Sequence, residues 1–118
     1  ILEYRMLKFI MQPLVENAIY HGIKSKNEYG KLTIRGYKDK NMLIFVIEDT
    51  GKGMDEDTLT KLYQKINEKK RDEKENRGYG IWNVNQRIKL FYGEQYGLQI
   101  DSTVDKGTSI YIKIPAEI

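Results

Sequence analysis

No cysteine occurs anywhere in the 118 residues, so neither a disulfide framework nor a thiolate metal site is available. Nor does any apolar run approach the roughly 20 residues needed to span a bilayer. The opening Ile1-Leu2-Glu3-Tyr4-Arg5 is not a secretion signal, because Lys8 and Gln12 break the apolar stretch that follows. Charge of one sign is also scarce in excess. Twenty basic and seventeen acidic side chains leave a net charge of +3, too little to argue for nucleic acid. Internal repeats and low-complexity linkers are missing, and so is an initiating methionine. The chain is therefore expected to be one domain over residues 1–118, a fragment of a longer protein whose remainder could be membrane-bound.

What is present is an ordinary globular balance, 40% hydrophobic and 31% charged, enough for one modest core. Met11, Leu14, Val15 and Ala18 recur at helical spacing and make one apolar face. Pro13 is tolerated best near a helix start, so the helix is predicted to begin around Ile10 to Gln12 and to stop at Gly22. Lys31 to Arg35 alternates as a half-buried strand should, and Met42 to Ile47 is continuously apolar, as in a strand covered on both faces. The polar stretch Lys38-Asp39-Lys40-Asn41 between them makes an antiparallel hairpin. A second helix, capped by Asp55 or Asp57, would carry Leu59, Leu62, Tyr63 and Ile66. Residues 67–77 are almost wholly polar and read as a solvated, lid-like loop. A third helix with Ile81, Val84, Ile88 and Phe91 on one side ends at Gly93. Strands from Leu98 to Val104 and Ser109 to Ile114 close the chain around an Asp105-Lys106-Gly107 turn. Strands in adjacent pairs with helices between the pairs imply α+β, a two-layer sandwich with a mostly antiparallel, mixed sheet and helices on one face.

Four short segments could carry chemistry. Asn17 and His21 sit four apart on one helix, where an amide carbonyl could meet a hard cation. Asp49-Thr50-Gly51-Lys52-Gly53-Met54 follows a buried strand. Its carboxylate could accept a hydrogen bond from an exocyclic amine, and its glycines let the backbone approach a flat ligand. The alternating acids and closing glutamate of a calcium loop are missing. Gly78-Tyr79-Gly80-Ile81 stands at a loop-to-helix junction, where free N–H groups attract phosphate. It is neither a Rossmann fingerprint nor a P-loop, having no preceding strand and no Gly-Lys-Ser/Thr. Gly107-Thr108 opens the last strand. Taken singly, each has a plain structural explanation as a helix surface, a turn or a capped end.

Order and spacing together are more specific. Gln12-Pro13-Leu14-Val15-Glu16-Asn17-Ala18-Ile19-Tyr20-His21-Gly22 looks like an asparagine box, Asp49 to Met54 like a first glycine box, and Gly78 to Val84 like a second. In this combination the sequence resembles the ATP-binding domain of histidine kinases and the related gyrase and Hsp90 ATPases, from about Lys8 to Pro115. Arg87-Ile88-Lys89-Leu90-Phe91-Tyr92-Gly93, with Gly107-Thr108 and a final Ile-Pro, resembles the LytS/YesM-like bacterial sensor kinases.

The resemblance implies a Bergerat-type fold, ATP and Mg2+ as ligands, and a place in two-component signalling. Asn17 would coordinate magnesium, and Asp49 would accept the adenine amino group. Gly51 and Gly53 would admit the base, with Met54 packing near it. Gly78, Tyr79, Gly80 and Ile81 would form the phosphate-binding hinge, and Thr108 would reach the adenine through Asp49 or a water. His21 could touch a phosphate oxygen, Arg77 is a candidate lid cation, and Glu16 beside Asn17 is a candidate catalytic carboxylate. The implied partners are a dimerisation and phosphoacceptor domain of the same protein, as a homodimer, and a downstream response regulator, without nucleic acid. The implied location is cytoplasmic, on a membrane-anchored sensor. Pro13 replaces the second asparagine of many histidine kinases and the general-base glutamate of gyrase-type enzymes, which argues against ATP hydrolysis as the main activity. Tyr20 replaces a phosphate-binding lysine, so Lys24, Lys26 or the lid must supply that charge. An anti-sigma serine kinase, a chaperone-type ATPase and a non-catalytic interaction domain are the alternatives.

Overall fold

The computed structural model describes residues 4–19, 30–68 and 79–116, with side chains from residue 8 in the first stretch and from residue 80 in the third. Expectations for Tyr20, His21, Gly22, Lys24, Lys26, the 69–77 charged run, Arg77 and Gly78 lie outside the described residues. Tyr79 is described only as the first residue of its helix.

Helix α1 (Tyr4–Asn17) is followed by strands β1 (Leu32–Asp39) and β2 (Met42–Asp49), helices α2 (Glu56–Ile66) and α3 (Tyr79–Tyr92), and strands β3 (Gly97–Thr103) and β4 (Gly107–Pro115). The sheet order is β1-β2-β4-β3, and all three pairings are antiparallel, so the sheet is not mixed among the described residues.

Register sorts the side chains. Leu43, Phe45, Ile47 and Asp49 of β2 stand opposite Ile114, Ile112, Ile110 and Thr108 of β4. Leu98, Ile100 and Ser102 of β3 complete the same rows. Period-two alternation puts all of these on one face, and that face packs with Ile10, Leu14, Ile66, Ile81, Val84 and Ile88 in a single core. Each fully buried isoleucine or leucine there contributes roughly 1.5–3 kcal/mol.

Helix α1 is already formed well before Pro13, which lies inside it rather than near its start. Ile10 and Leu14, four apart and straddling the proline, are both buried in the core. Their burial offsets the bond that a proline cannot donate, a defect of about 3 kcal/mol. Helix α2 begins as expected, with the Asp55 carboxylate accepting from Thr58 N–H at 2.7 Å.

Two expectations change. Strand β1 is not half-buried: beyond Leu32 and Thr33 its residues are exposed, because it is an edge strand and α2 and α3 lie over β3 and β4. Phe91 is 52% exposed, while Tyr92 packs on the core. The buried stripe of α3 steps from Ile88 by four residues instead of three, as a 3.6-residue period permits. Strand β2 is covered on both faces, as its apolar run predicts, the second of them without helices. Val46 is fully buried there between Arg35 and Tyr111, its direct cross-strand neighbours.

Two details fix the helices over this sheet. The Tyr63 hydroxyl donates to the Ile100 carbonyl at 2.9 Å and accepts from the Ile100 N–H, so one side chain covers both backbone groups of an edge-strand residue. On α3, Asn85 is buried, donating to Ile66 O at 2.9 Å and accepting from Leu98 N–H at 2.9 Å. One turn earlier, Trp82 Nε1 donates to Glu68 O at 2.8 Å. Together they fasten the end of α2 to α3.

Candidate functional site

On each of the three inner-row strands the apolar alternation ends in a polar residue on the helix-covered face. Phe45 and Ile47 lead to Asp49, Leu98 and Ile100 to Ser102, and Ile112 and Ile110 to Thr108. Register brings these polar ends into one row at one end of the sheet. Above that row lies a cavity of about 270 Å³.

Its apolar wall consists of Met54, Leu62, Ile81, Ile100 and Ile110. Asp49 and Thr108 form its polar end, Asn17 reaches it from the last residue of α1, and Lys52, Gly53 and Thr58 complete it. An apolar slot with one buried acceptor at its end suits a flat, partly polar ring.

Asp49 is the electrostatic centre. It is 8% exposed, and its Oδ1 accepts from Gly51 N–H at 2.9 Å. Burial pushes its carboxyl above the usual range, while the Gly51 and Thr108 backbone N–H groups pull the other way. A carboxylate offers about four lone-pair directions, so acceptor capacity remains for a ligand.

Ser102 holds the loop in place, although no motif marks it in the sequence. Its oxygen accepts from Met54 N–H at 2.7 Å, its hydroxyl donates to Gly107 O at 3.0 Å, and Thr108 Oγ1 lies 2.8 Å away. With its own proton given to Gly107, the Thr108 hydroxyl is left to donate to it. Replacing Ser102 by alanine strands the Met54 N–H and loosens the Gly53–Met54 backbone beside the slot. The expected cost is about 1–3 kcal/mol of stability in urea melts.

Of the residues expected from sequence, Asn17, Asp49, Gly53, Met54, Ile81 and Thr108 come together around the cavity. Gly51 is buried just behind it, acting through its N–H on Asp49. Gly80 is exposed at the start of α3 and is not in the cavity wall, with open space where a Cβ would stand. Glu16 is exposed, accepts from Gln12 Nε2 at 3.2 Å and does not reach the cavity. Lys52, inside the first glycine box but not among the expected site residues, joins the wall, as do Thr58, Leu62, Ile100 and Ile110, which stand in no motif. Trp82 is not part of it.

A second cleft, about 310 Å³, lies at the other end of the sheet beside Met42, Gly97 and Lys113. Its buried amide, Asn85, already has both partners. Among the described residues no three His, Cys, Asp or Glu side chains converge. No described helix is long and apolar enough to cross a membrane.

The chain is 37% identical over 108 residues to the sensor histidine kinase YesM of Bacillus subtilis, covering 92% of this chain and 17% of that protein. It is 33% identical over 109 residues to the sensor protein LytS of the same organism, covering 92% and 18%. It is 38% identical over 107 residues to LytS of Oceanobacillus iheyensis, covering 89% and 17%. The chain thus spans about a sixth of the length of these relatives. Among solved structures, the histidine kinase domain from the Erythrobacter litoralis EL346 blue-light activated histidine kinase shares the fold. The TM-score is 0.63 at 21% identity, over 93% of this chain and 43% of that one. Residues 3–118 match the family described as histidine kinase-, DNA gyrase B- and HSP90-like ATPases, and the chain belongs to that family.

Proposed function

We propose that this domain binds Mg-ATP and donates its γ-phosphoryl group to a histidine on a separate dimerisation domain, as the catalytic part of a sensor histidine kinase. The observation that carries the reading is Asp49, a buried carboxylate with spare acceptor capacity at the polar end of an apolar slot. The adenine ring would lie against Met54, Leu62, Ile100 and Ile110 and give its amino proton to Asp49. Guanine presents a carbonyl where adenine has that amine, so two acceptors would face each other, and ATP is preferred.

Asn17, which lines the cavity, is the residue that would hold magnesium through its amide oxygen. The bound ion would neutralise phosphate charge during transfer. The chain's own part is positioning: the slot fixes the base, and the N-terminal end of α3, near Gly80 and Ile81, offers backbone N–H groups toward the phosphates. The only histidine, His21, belongs to the asparagine box, so the phosphoryl acceptor would stand elsewhere in the full protein and pass the group on to a response regulator.

Calorimetric titration with ATP and GTP, each with Mg2+ and with EDTA, tests this reading. ATP should bind with Mg2+ at micromolar to submillimolar Kd, and GTP at least about 100-fold more weakly. No binding of any adenine nucleotide at millimolar concentration would refute it. Steady ATP turnover by the isolated domain would instead favour an ATPase of the same family.

A further inference from the structure

Pro13 has no N–H, so it cannot make the helical bond that would end on the carbonyl of Phe9, four residues back. A side chain from another helix goes to that carbonyl. Arg87 Nη1 on α3 donates to Phe9 O at 3.1 Å, and its guanidinium carbon lies 5.8 Å from the centroid of the Phe9 ring. The contact joins positions 78 residues apart, at the point where α1 is weakest.

This point is tied to the cavity by both helices. Asn17 lies eight residues beyond Phe9, about 12 Å along α1, and Ile81 lies six residues before Arg87, about 9 Å along α3. Asn17 and Ile81 line the same cavity, so the two helices run antiparallel from the Arg87–Phe9 contact to the site. A proline-bearing helix hinges easily, and a swing at Pro13 would move Asn17 relative to the start of α3.

We propose that Arg87 is the substitute donor for the carbonyl that Pro13 leaves unbonded, and that by this bond it is a positioning residue for Asn17. The positioning half rests on the function proposed above; the bond itself does not. Only one guanidinium N–H reaches Phe9 O, so a lysine of similar reach can replace it. An alanine at position 13 would supply the missing N–H from within α1 and make Arg87 dispensable.

The test is a double-mutant cycle with Pro13→Ala and Arg87→Ala, read in two ways. In the nucleotide-free domain, Arg87→Ala should lower Tm by about 5 °C or more, and by less than half as much when Pro13→Ala is also present. Additive Tm changes would overturn the proposal whatever the domain binds. In titrations, Arg87→Ala should weaken Mg-ATP by about tenfold and ATP in EDTA by less than about twofold. Arg87→Lys and the double variant should both recover Mg-ATP affinity. A non-additive Tm with unchanged Mg-ATP affinity would leave Arg87 a structural cap and overturn the positioning role. If the wild-type domain binds no Mg-ATP, the proposed function and the positioning role fail together, and the Tm cycle still decides the bond.

Discussion

Asp49→Asn is expected to abolish adenine-nucleotide binding while leaving the empty domain at least as stable as the wild type at neutral pH. The two halves of this result have one cause. Asp49 is an acceptor buried where an exocyclic amine would arrive. The asparagine oxygen can still take the Gly51 N–H, as Oδ1 does now. The nitrogen then faces the ligand and presents a donor to a donor. Loss of a charge-assisted bond together with a mismatched pair should weaken ATP about 100-fold or more.

The stability half follows from linkage. Burial raises the Asp49 carboxyl above its ordinary pKa, against the pull of the Gly51 and Thr108 N–H groups. A raised pKa means that the folded state holds the proton more tightly than the unfolded chain. The contribution to stability is therefore fully present below the unfolded pKa and is lost as pH rises through the folded one. At neutral pH the ionised side chain is a cost, and asparagine removes it. Thermal melts at pH 7 should show no fall in Tm for Asp49→Asn, while titration shows no binding. A large drop in Tm would mean that the carboxylate is needed for folding. For the wild type, ATP affinity should begin to fall with acidity at a higher pH than an ordinary carboxylate allows.

How much of this site could be read from the sequence depends on the kind of signal each residue gives. Asn17, Asp49, Gly53, Met54 and Thr108 stand in short motifs, and the structure brings them to one cavity. Ser102 was legible only in part. In β3 the run Leu98, Ile100, Ser102 breaks an apolar alternation with a polar residue, but that break looks like a strand end until the register sets it beside Thr108 and Asp49. Ile100 and Ile110 carry no mark at all, because a core isoleucine and a cavity-lining isoleucine have the same local pattern. Helix α1 starts well before Pro13 for an energetic reason. A rule about proline weighs one missing bond, whereas burial of Ile10 and a donor from Arg87, far along the chain, outweigh it. Long-range contacts of that kind have no local signature.

Gly107→Ala should be severely destabilising and Gly80→Ala should not. Gly107 has φ 119, outside what an L-residue adopts readily, and a Cβ there would stand 1.9 Å from the Asp49 carbonyl oxygen and 3.0 Å from Thr50 Cα. These are backbone atoms of the last residue of β2 and the one after it, held by the pairing of Asp49 with Thr108, so nothing flexible can move aside. Its carbonyl also takes the Ser102 hydroxyl. Separating β4 from β2 here would cost about 3 kcal/mol or more, a Tm drop of roughly 10 °C or more, and would open the polar end of the slot. At Gly80 a Cβ meets nothing within 4 Å, and the residue is helical. Alanine there should raise stability by up to about 1 kcal/mol through helix propensity. Any loss of Mg-ATP affinity in Gly80→Ala would then come from the space a phosphate needs, not from the fold. Melting curves and titrations on the two variants separate the cases. Gly107→Ala should lose both stability and binding. Gly80→Ala should lose binding alone, and a fall in its Tm would show that the start of α3 depends on a bare backbone.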